Sequence, residues 1–336
     1  MTQRKPTLHD VAKLAEVSIA TVSNVLNDKN NELSDKTKEK VLTAIEKLNY
    51  APNQFARGLK TGQSNVVAFI VPDQNPFFTE VLTSLNDACQ QHNLQVAVAS
   101  SEENEQRQNE LIDIFLTQNV SAIIVAPVTS QLAIKKEWKK IPILTLDREV
   151  ADSKLPCISV NNEEAAYKAT ERLFNQGGKR IGLLLANSDI GTTPRRRNGY
   201  ELALKDNNLE LDENIIFYSN LNQGTEAQVK SGYYATLKLL QENVPAILAT
   251  NHLLLLGALQ ACKEMNKVIR EDVIIIGFDD SYWNEIFTPR LSVISQPAKE
   301  IGEVAGEMIH DLIKGERVKS TKLTTQLIIR DSCSFL

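Results

Sequence analysis

From residue 65 onward, short runs of Val, Ile and Leu alternate with stretches of helical periodicity, and few architectures accept that alternation. The apolar runs are 66–71, 94–100, 122–126 and 141–146, with helices predicted near 77–93, 105–118 and 130–139 between them. The pattern resumes with strands at 180–185, 215–218, 246–250 and 273–278. Runs that are apolar throughout belong to strands covered on both faces, so the expectation is open parallel sheets flanked by helices. Two blocks predict two doubly wound α/β lobes, with a ligand cleft where the strand C-termini converge. A chain of 336 residues is too long for one compact core and agrees with several domains.

The segment before residue 65 reads differently. Thr7 and Asp10 have the spacing of a capping box, which satisfies free amides at a helix start. Val11, Ala12, Leu14 and Ala15 then supply an apolar side. A turn around Glu16 and Val17 follows, and Ser18 is a good N-cap for a second helix. Val22, Val25 and Leu26 fall on the inner face of that helix, leaving Ile19, Ala20, Ser23, Asn24 and Asn27 for DNA or solvent. Ser34 caps a third helix with Val41, Ile45 and Leu48 at helical spacing. Two short helices, a tight turn and small polar side chains outward are the build of a helix-turn-helix. A plain three-helix core without a DNA role is the competing reading of the pattern.

Charge is unevenly spread. The first 64 residues hold ten Lys and Arg against seven Asp and Glu, whereas the rest holds 27 against 35. A mildly basic head on an acidic body suits DNA contact at one end. The opening Met-Thr-Gln-Arg-Lys-Pro predicts no signal peptide, and no apolar run approaches the roughly 18 residues that span a membrane. Cys89, Cys157, Cys262 and Cys333 are scattered, so packed, reduced thiols in a cytoplasmic protein are expected.

Three motifs occur in order: Thr-Leu-x-Asp-Val-Ala from Thr7, Val-Ser-x-x-Thr-Val-Ser from Val17, and Tyr-x-Pro-Asn-x-x-Ala-Arg-x-Leu from Tyr50. On these residues 7–62 resemble the DNA-binding head and hinge of the lactose/galactose repressor family. The resemblance implies a homodimer on a near-palindromic operator in double-stranded DNA. It implies that Ile19, Ala20 and Asn24 read bases, and that Thr7, Ser18, Thr21, Ser23 and Asn27 also lie at the DNA. Asn53 to Leu59 would form a hinge helix, with Ala56 and Arg57 at the DNA and Leu59 wedged into the minor groove. Gly58 lowers the helicity of that short segment by about 1 kcal/mol relative to Ala, so it is expected to fold only on DNA. Two departures stand out: Glu16 occupies a turn position that is commonly Gly, and Asn24 stands where Arg is common.

The body resembles the sugar-binding core of the same repressors and the periplasmic sugar-binding proteins. The implied domains are a head at 1–50, a hinge and linker at 51–63, and a core at 64–336. Within the core one lobe is expected to hold 64–162 with 293–324, and the other 163–292 with 325–336. One residue set resembles the ribose-binding branch: Asn75, Phe77 and Phe78; Asp147 and Arg148; Arg196, three residues before Gly199 and Tyr200; Asn251; Asp279; and Gln296. Carboxylates and guanidinia bind vicinal hydroxyls in pairs, and aromatic rings cover an apolar sugar face. Singly, each has a plainer reading: a solvated cap or ion pair for the charges, core for the phenylalanines. His252 follows the cleft Asn where Asp is frequent, and Trp283 has no counterpart.

Helix 298–314 carries Ile301, Val304, Met308 and Leu312 at helical spacing, as core, as a dimer face or as both, since only one flank needs to meet a partner. No nucleophile elbow, phosphate loop or zinc motif is present, so no enzyme, cofactor or metal is expected. The expectation is a ligand-controlled transcriptional repressor responding to ribose, a related pentose or its phosphate. Alternatives within the family are a catabolite-type regulator with a protein co-effector, and a nucleobase-responsive repressor, which would be expected to stack an aromatic ring where Arg148 stands. A transport-associated sugar receptor fits neither the start nor the helix-turn-helix.

Overall fold

A computed structural model describes residues 6–26, 33–50, 64–151, 153–186, 191–219 and 224–335. The chain divides into two compact units, Met1–Ser64 and Asn65–Leu336.

In the first unit, α1 (Leu8–Ala15) begins at the expected capping box: Asp10 N donates to Thr7 Oγ1 at 3.4 Å, and Thr7 N donates to Asp10 Oδ2 at 2.8 Å. Helix α2 (Ile19–Leu26) starts where Thr21 N donates to Ser18 Oγ at 3.0 Å. Helix α3 (Asp35–Leu48) is capped by Ser34. Val11, Ala12, Ala15, Val22, Val41 and Ala44 close a small core, with Val25, Leu26, Ile45 and Leu48 packed around it. Leu14 departs from expectation, since it points largely to solvent. Glu16 ends α1 in the left-handed region at φ 55, so this turn keeps the backbone that glycine would favour and strains a side-chain-bearing residue to do so.

The second unit holds two six-stranded sheets. The first is built from β1 (Val66–Val71), β2 (Gln95–Ser100), β3 (Ala122–Val125), β4 (Ile143–Leu146), β5 (Cys157–Val160) and β11 (Thr321–Leu323) in the order β11-β5-β4-β3-β1-β2, all pairs parallel. The second contains β6 (Ile181–Leu185), β7 (Ile216–Tyr218), β8 (Ala246–Ala249), β9 (Ile274–Phe278), β10 (Ser292–Ser295) and β12 (Gln326–Ile328) in the order β12-β10-β9-β8-β6-β7. Only its β10–β12 pair is antiparallel.

Continuous apolarity follows from layers on both faces. Along β1, Val67, Phe69 and Val71 join a core shared with α4 (Pro76–Gln91) and α11 (Ala298–Ile313). Ala68 and Ile70 face α5 (Glu105–Thr117) and Trp138 on the other side. The second sheet is covered by α6 (Asn162–Asn175) and α7 (Thr192–Asp206) on one face, and by α8 (Gly224–Gln241) and α9 (His252–Glu264) on the other. A short α10 (Tyr282–Ile286) follows β9.

Two expectations need correction. Strand β10 lies in the second sheet, so the chain returns to the first lobe after Ser295 and not before residue 293. A four-residue buried strand carries no mark of which sheet it joins. The predicted helix 130–139 is absent: Ala151 N donates to Ser130 O, and only a single turn at Glu137–Lys140 forms around the buried Trp138. Strands β5, β10, β11 and β12, three or four residues each, were not expected from the pattern.

Candidate effector cleft and nucleic-acid face

On the outer side of α2, Ile19, Ala20 and Asn24 are exposed, while Thr21 and Ser23 are half-buried. Ile19 leaves 46% of its surface to solvent. An exposed isoleucine beside an alanine suits apolar contact with thymine methyl groups, and Asn24 has the donor and acceptor pair that matches adenine. The hydroxyls of Ser18 and Thr21 lie 2.8 Å apart, and that of Thr7 donates to Asp10 Oδ2 at 2.6 Å, so these side chains first hold helix starts. Asn27, Asn53, Ala56, Arg57 and Leu59 lie outside the described residues.

Between the lobes, at the C-terminal ends of the strands, one cavity gathers all nine residues expected there: Asn75, Phe77, Phe78, Asp147, Arg148, Arg196, Asn251, Asp279 and Gln296. Asn75 caps α4 by accepting from Phe77 N at 3.0 Å, which turns the edge-to-face pair Phe77 and Phe78 under the cleft. Its amide then donates across the lobes to Asp279 Oδ2 at 2.8 Å. Gln296 donates to the other oxygen of Asp279 at 2.7 Å. Asn251 caps α9 and donates to Gln228 Oε1 at 2.9 Å.

Asp147 and Asp279 occupy matching places after β4 and β9, and both have left-handed backbones, at φ 65 and φ 70. Backbone strain of this kind collects where side-chain direction serves a ligand. Arg196 projects from α7 with its guanidinium 4.0 Å above the Phe278 ring. Its Nε donates to Asn162 Oδ1 at 2.7 Å and its Nη1 to the Thr250 carbonyl. Burial weakens its hold on the proton, and Asp147 and Asp279 oppose that shift. For Asp147, burial favours the protonated form while Arg196 and Arg148 pull the other way.

Several residues here escaped the sequence reading. Asp73, Ala186 and Thr192 also line the cavity. Glu103 forms a two-pronged ion pair with Arg148, and its Oε1 lies 3.5 Å from Gln228 Nε2 of the opposite lobe. Burial, then the neighbouring Glu103 carboxylate, push the Asp73 carboxyl from 3.8 up to about 7. Burial also lowers the pKa of His252 below its ordinary 6.5.

The space left among these side chains is about 30 Å³, room for a water or two. Asp147 Oδ1, Arg148 Nε and Gln296 Oε1 are buried there without a hydrogen-bond partner. Unsatisfied buried polar atoms are costly, and a ring of them facing one space suits a ligand rich in hydroxyls. Among the described residues no group of three or more His, Cys, Asp or Glu could hold a metal, and no helix is long and apolar enough to cross a membrane. Trp283 is exposed on α10 and does not line the cavity. Along α11, Ile301 and Met308 are buried, with Val304 and Leu312 packed beside them, so the core reading of that stripe holds.

Comparison with known proteins agrees in both units. Residues 7–53 match the bacterial regulatory proteins of the lacI family, and residues 64–331 match the periplasmic binding proteins and sugar binding domain of the LacI family. A protein described as a transcription regulator from Staphylococcus saprophyticus is 60% identical, with a TM-score of 0.81 over 82% of this chain and 100% of that one. The Lac repressor dimer bound to operator and an anti-inducer is 25% identical, with a TM-score of 0.83 over 98% of this chain and 100% of that one. A protein described as a ribose operon repressor from Burkholderia thailandensis is 26% identical, with a TM-score of 0.70 over 79% of this chain and 99% of that one.

Proposed function

The chain belongs to the LacI family of DNA-binding transcriptional repressors, and from that premise we propose that it binds a near-palindromic operator as a homodimer and releases it when ribose or a related pentose fills the inter-lobe cleft. The observation that carries the effector reading is the ring of Asp147, Arg148, Arg196, Asp279 and Gln296, with unpartnered atoms among them, over the Phe77–Phe78 pair. Alternating carboxylates and guanidinia match the vicinal hydroxyls of a small sugar, and each charge-assisted bond contributes about 1.5–3 kcal/mol net. The likeness to the Burkholderia protein, described as a ribose operon repressor, supports the same sugar.

The mechanism is differential affinity between two states. A sugar that binds one arrangement of the lobes better draws the dimer toward it, and the operator is held by the other; linkage makes the two ligands oppose each other equally. Fluorescence anisotropy of a labelled palindromic operator, taken from DNA beside the protein's own gene, tests this. D-ribose is expected to release the protein, while D-glucose and hypoxanthine leave it bound. Tight binding that ribose does not move would end the ribose reading, and release by hypoxanthine would make the effector a nucleobase.

A further inference from the structure

The guanidinium of Arg148 would ordinarily mark a place for an anion, because its terminal nitrogens form the fork that grips phosphate or carboxylate. Here the fork is taken. Nη1 donates to Glu103 Oε2 at 2.8 Å and to the Pro127 carbonyl at 3.2 Å, and Nη2 donates to Glu103 Oε1 at 2.7 Å. The Glu103 side chain is only 1% exposed. Its backbone is pinned too, at φ 57 with its N donating to Pro72 O at 2.6 Å, so the carboxylate is a fixed part of the wall.

The balance of charge points the same way. Asp73, Asp147 and Asp279 line the cavity with Glu103 behind them, against two cations among the described lining residues, Arg148 and Arg196. Arg196 is itself bonded to Asn162 and to the Thr250 carbonyl. An anionic ligand would meet more carboxylates than cations and find only the Nε of Arg148 unpartnered, not its two-pronged end, whereas sugar hydroxyls donate to those carboxylates.

We propose that Glu103 is a specificity-determining residue: by occupying both terminal nitrogens of Arg148 it restricts the cleft to uncharged, polyhydroxylated effectors and excludes phosphorylated sugars. The proposal rests on the sugar reading of the cleft and extends it to charge.

Titration calorimetry on the full chain with matched pairs tests it: D-ribose against D-ribose 5-phosphate, and D-glucose against D-glucose 6-phosphate. A neutral sugar is expected to bind at least about 100-fold more tightly than its own phosphate, the scale of a like-charge clash in a buried site. Glu103→Gln is expected to narrow that ratio about tenfold or more by freeing the fork of Arg148. If that variant does not fold, Asp73→Asn compared at about pH 8, where the Asp73 carboxyl is ionised, removes a lining negative charge with the Arg148 pair intact and is expected to narrow the ratio in the same direction. A phosphate that binds the unaltered protein as tightly as its neutral partner overturns the proposal while keeping the sugar reading. So does an unchanged ratio in the folded variants. Binding by no member of either pair overturns both together.

Discussion

Asp73 carries the chemical signature of the cleft in one carboxyl. Burial and the Glu103 carboxylate raise its pKa from 3.8 to about 7 in the fold. The unfolded chain loses this proton near the ordinary value, so between that value and about 7 the native state holds one proton more. Its contribution to stability is therefore complete at acid pH, falls as pH rises through that window, and is flat above it. Relative to Asp73→Asn, the unaltered protein is expected to lose up to about 1.4 kcal/mol per pH unit between pH 5 and 7, read by urea unfolding at each pH. Parallel pH profiles would show that Asp73 ionises normally. The same residue marks the limit of what the sequence disclosed. Asp147, Arg148 and Asp279 were legible because each closes an apolar run at a strand end and matches the ribose-binding branch that the chain resembles. Asp73 and Glu103 were not, since their convergence depends on loop backbones, including the positive φ of Glu103, that no spacing encodes. Glu16 is the converse case: the sequence raised the question of its turn, and the fold shows that strain is accepted there.

At the level of elements, the site depends on how closely α6 and α7 pack. A side-chain carbon added at Gly199 would lie 2.0 Å from the Glu163 carbonyl and 2.9 Å from Tyr167 N, both backbone atoms that cannot swing aside. One turn earlier on α7, Arg196 reaches Asn162 at the start of α6, and the Tyr200 hydroxyl donates to the Ile181 carbonyl at 2.7 Å. Gly199→Ala is expected to destabilise the unit by about 1–3 kcal/mol through overpacking. It is also expected to weaken effector binding by shifting Arg196, a second readout that calorimetry supplies; a variant with unaltered melting and sugar affinity would remove Gly199 from this role. Arg196 was legible because its Arg-x-x-Gly-Tyr spacing matches the ribose-binding branch that the chain resembles. The sequence reading failed on β5, β10, β11 and β12, where three or four residues are too few for a period to register. Helix 130–139 failed for a related reason: Leu132 and Trp138 are its buried apolar side chains, and both are satisfied by a loop and a single turn.

Across the molecule, the chain passes between the two sheets three times, after β5, after β10 and after β11, so neither lobe is a continuous stretch of sequence. The two-lobe plan was readable from the alternation of strands and helices, whereas the places of crossing rested on the family resemblance, which set the one after β10 a few residues early. The cleft between the lobes is already bonded to itself: Asn75 reaches Asp279 from the opposite lobe, and Arg195 of the second lobe pairs with Glu149 of the first. With about 30 Å³ left between them, a sugar has no room to dock before these contacts part. Capture then has a tempo of its own, set by how often the lobes separate. In stopped-flow mixing, the observed binding rate should climb with sugar concentration and level off at a ceiling that more sugar cannot raise. A rate that stays linear to the highest concentration would mean that the sugar enters without waiting. If the ceiling holds, the delay before the protein responds to high sugar is timed by its own opening.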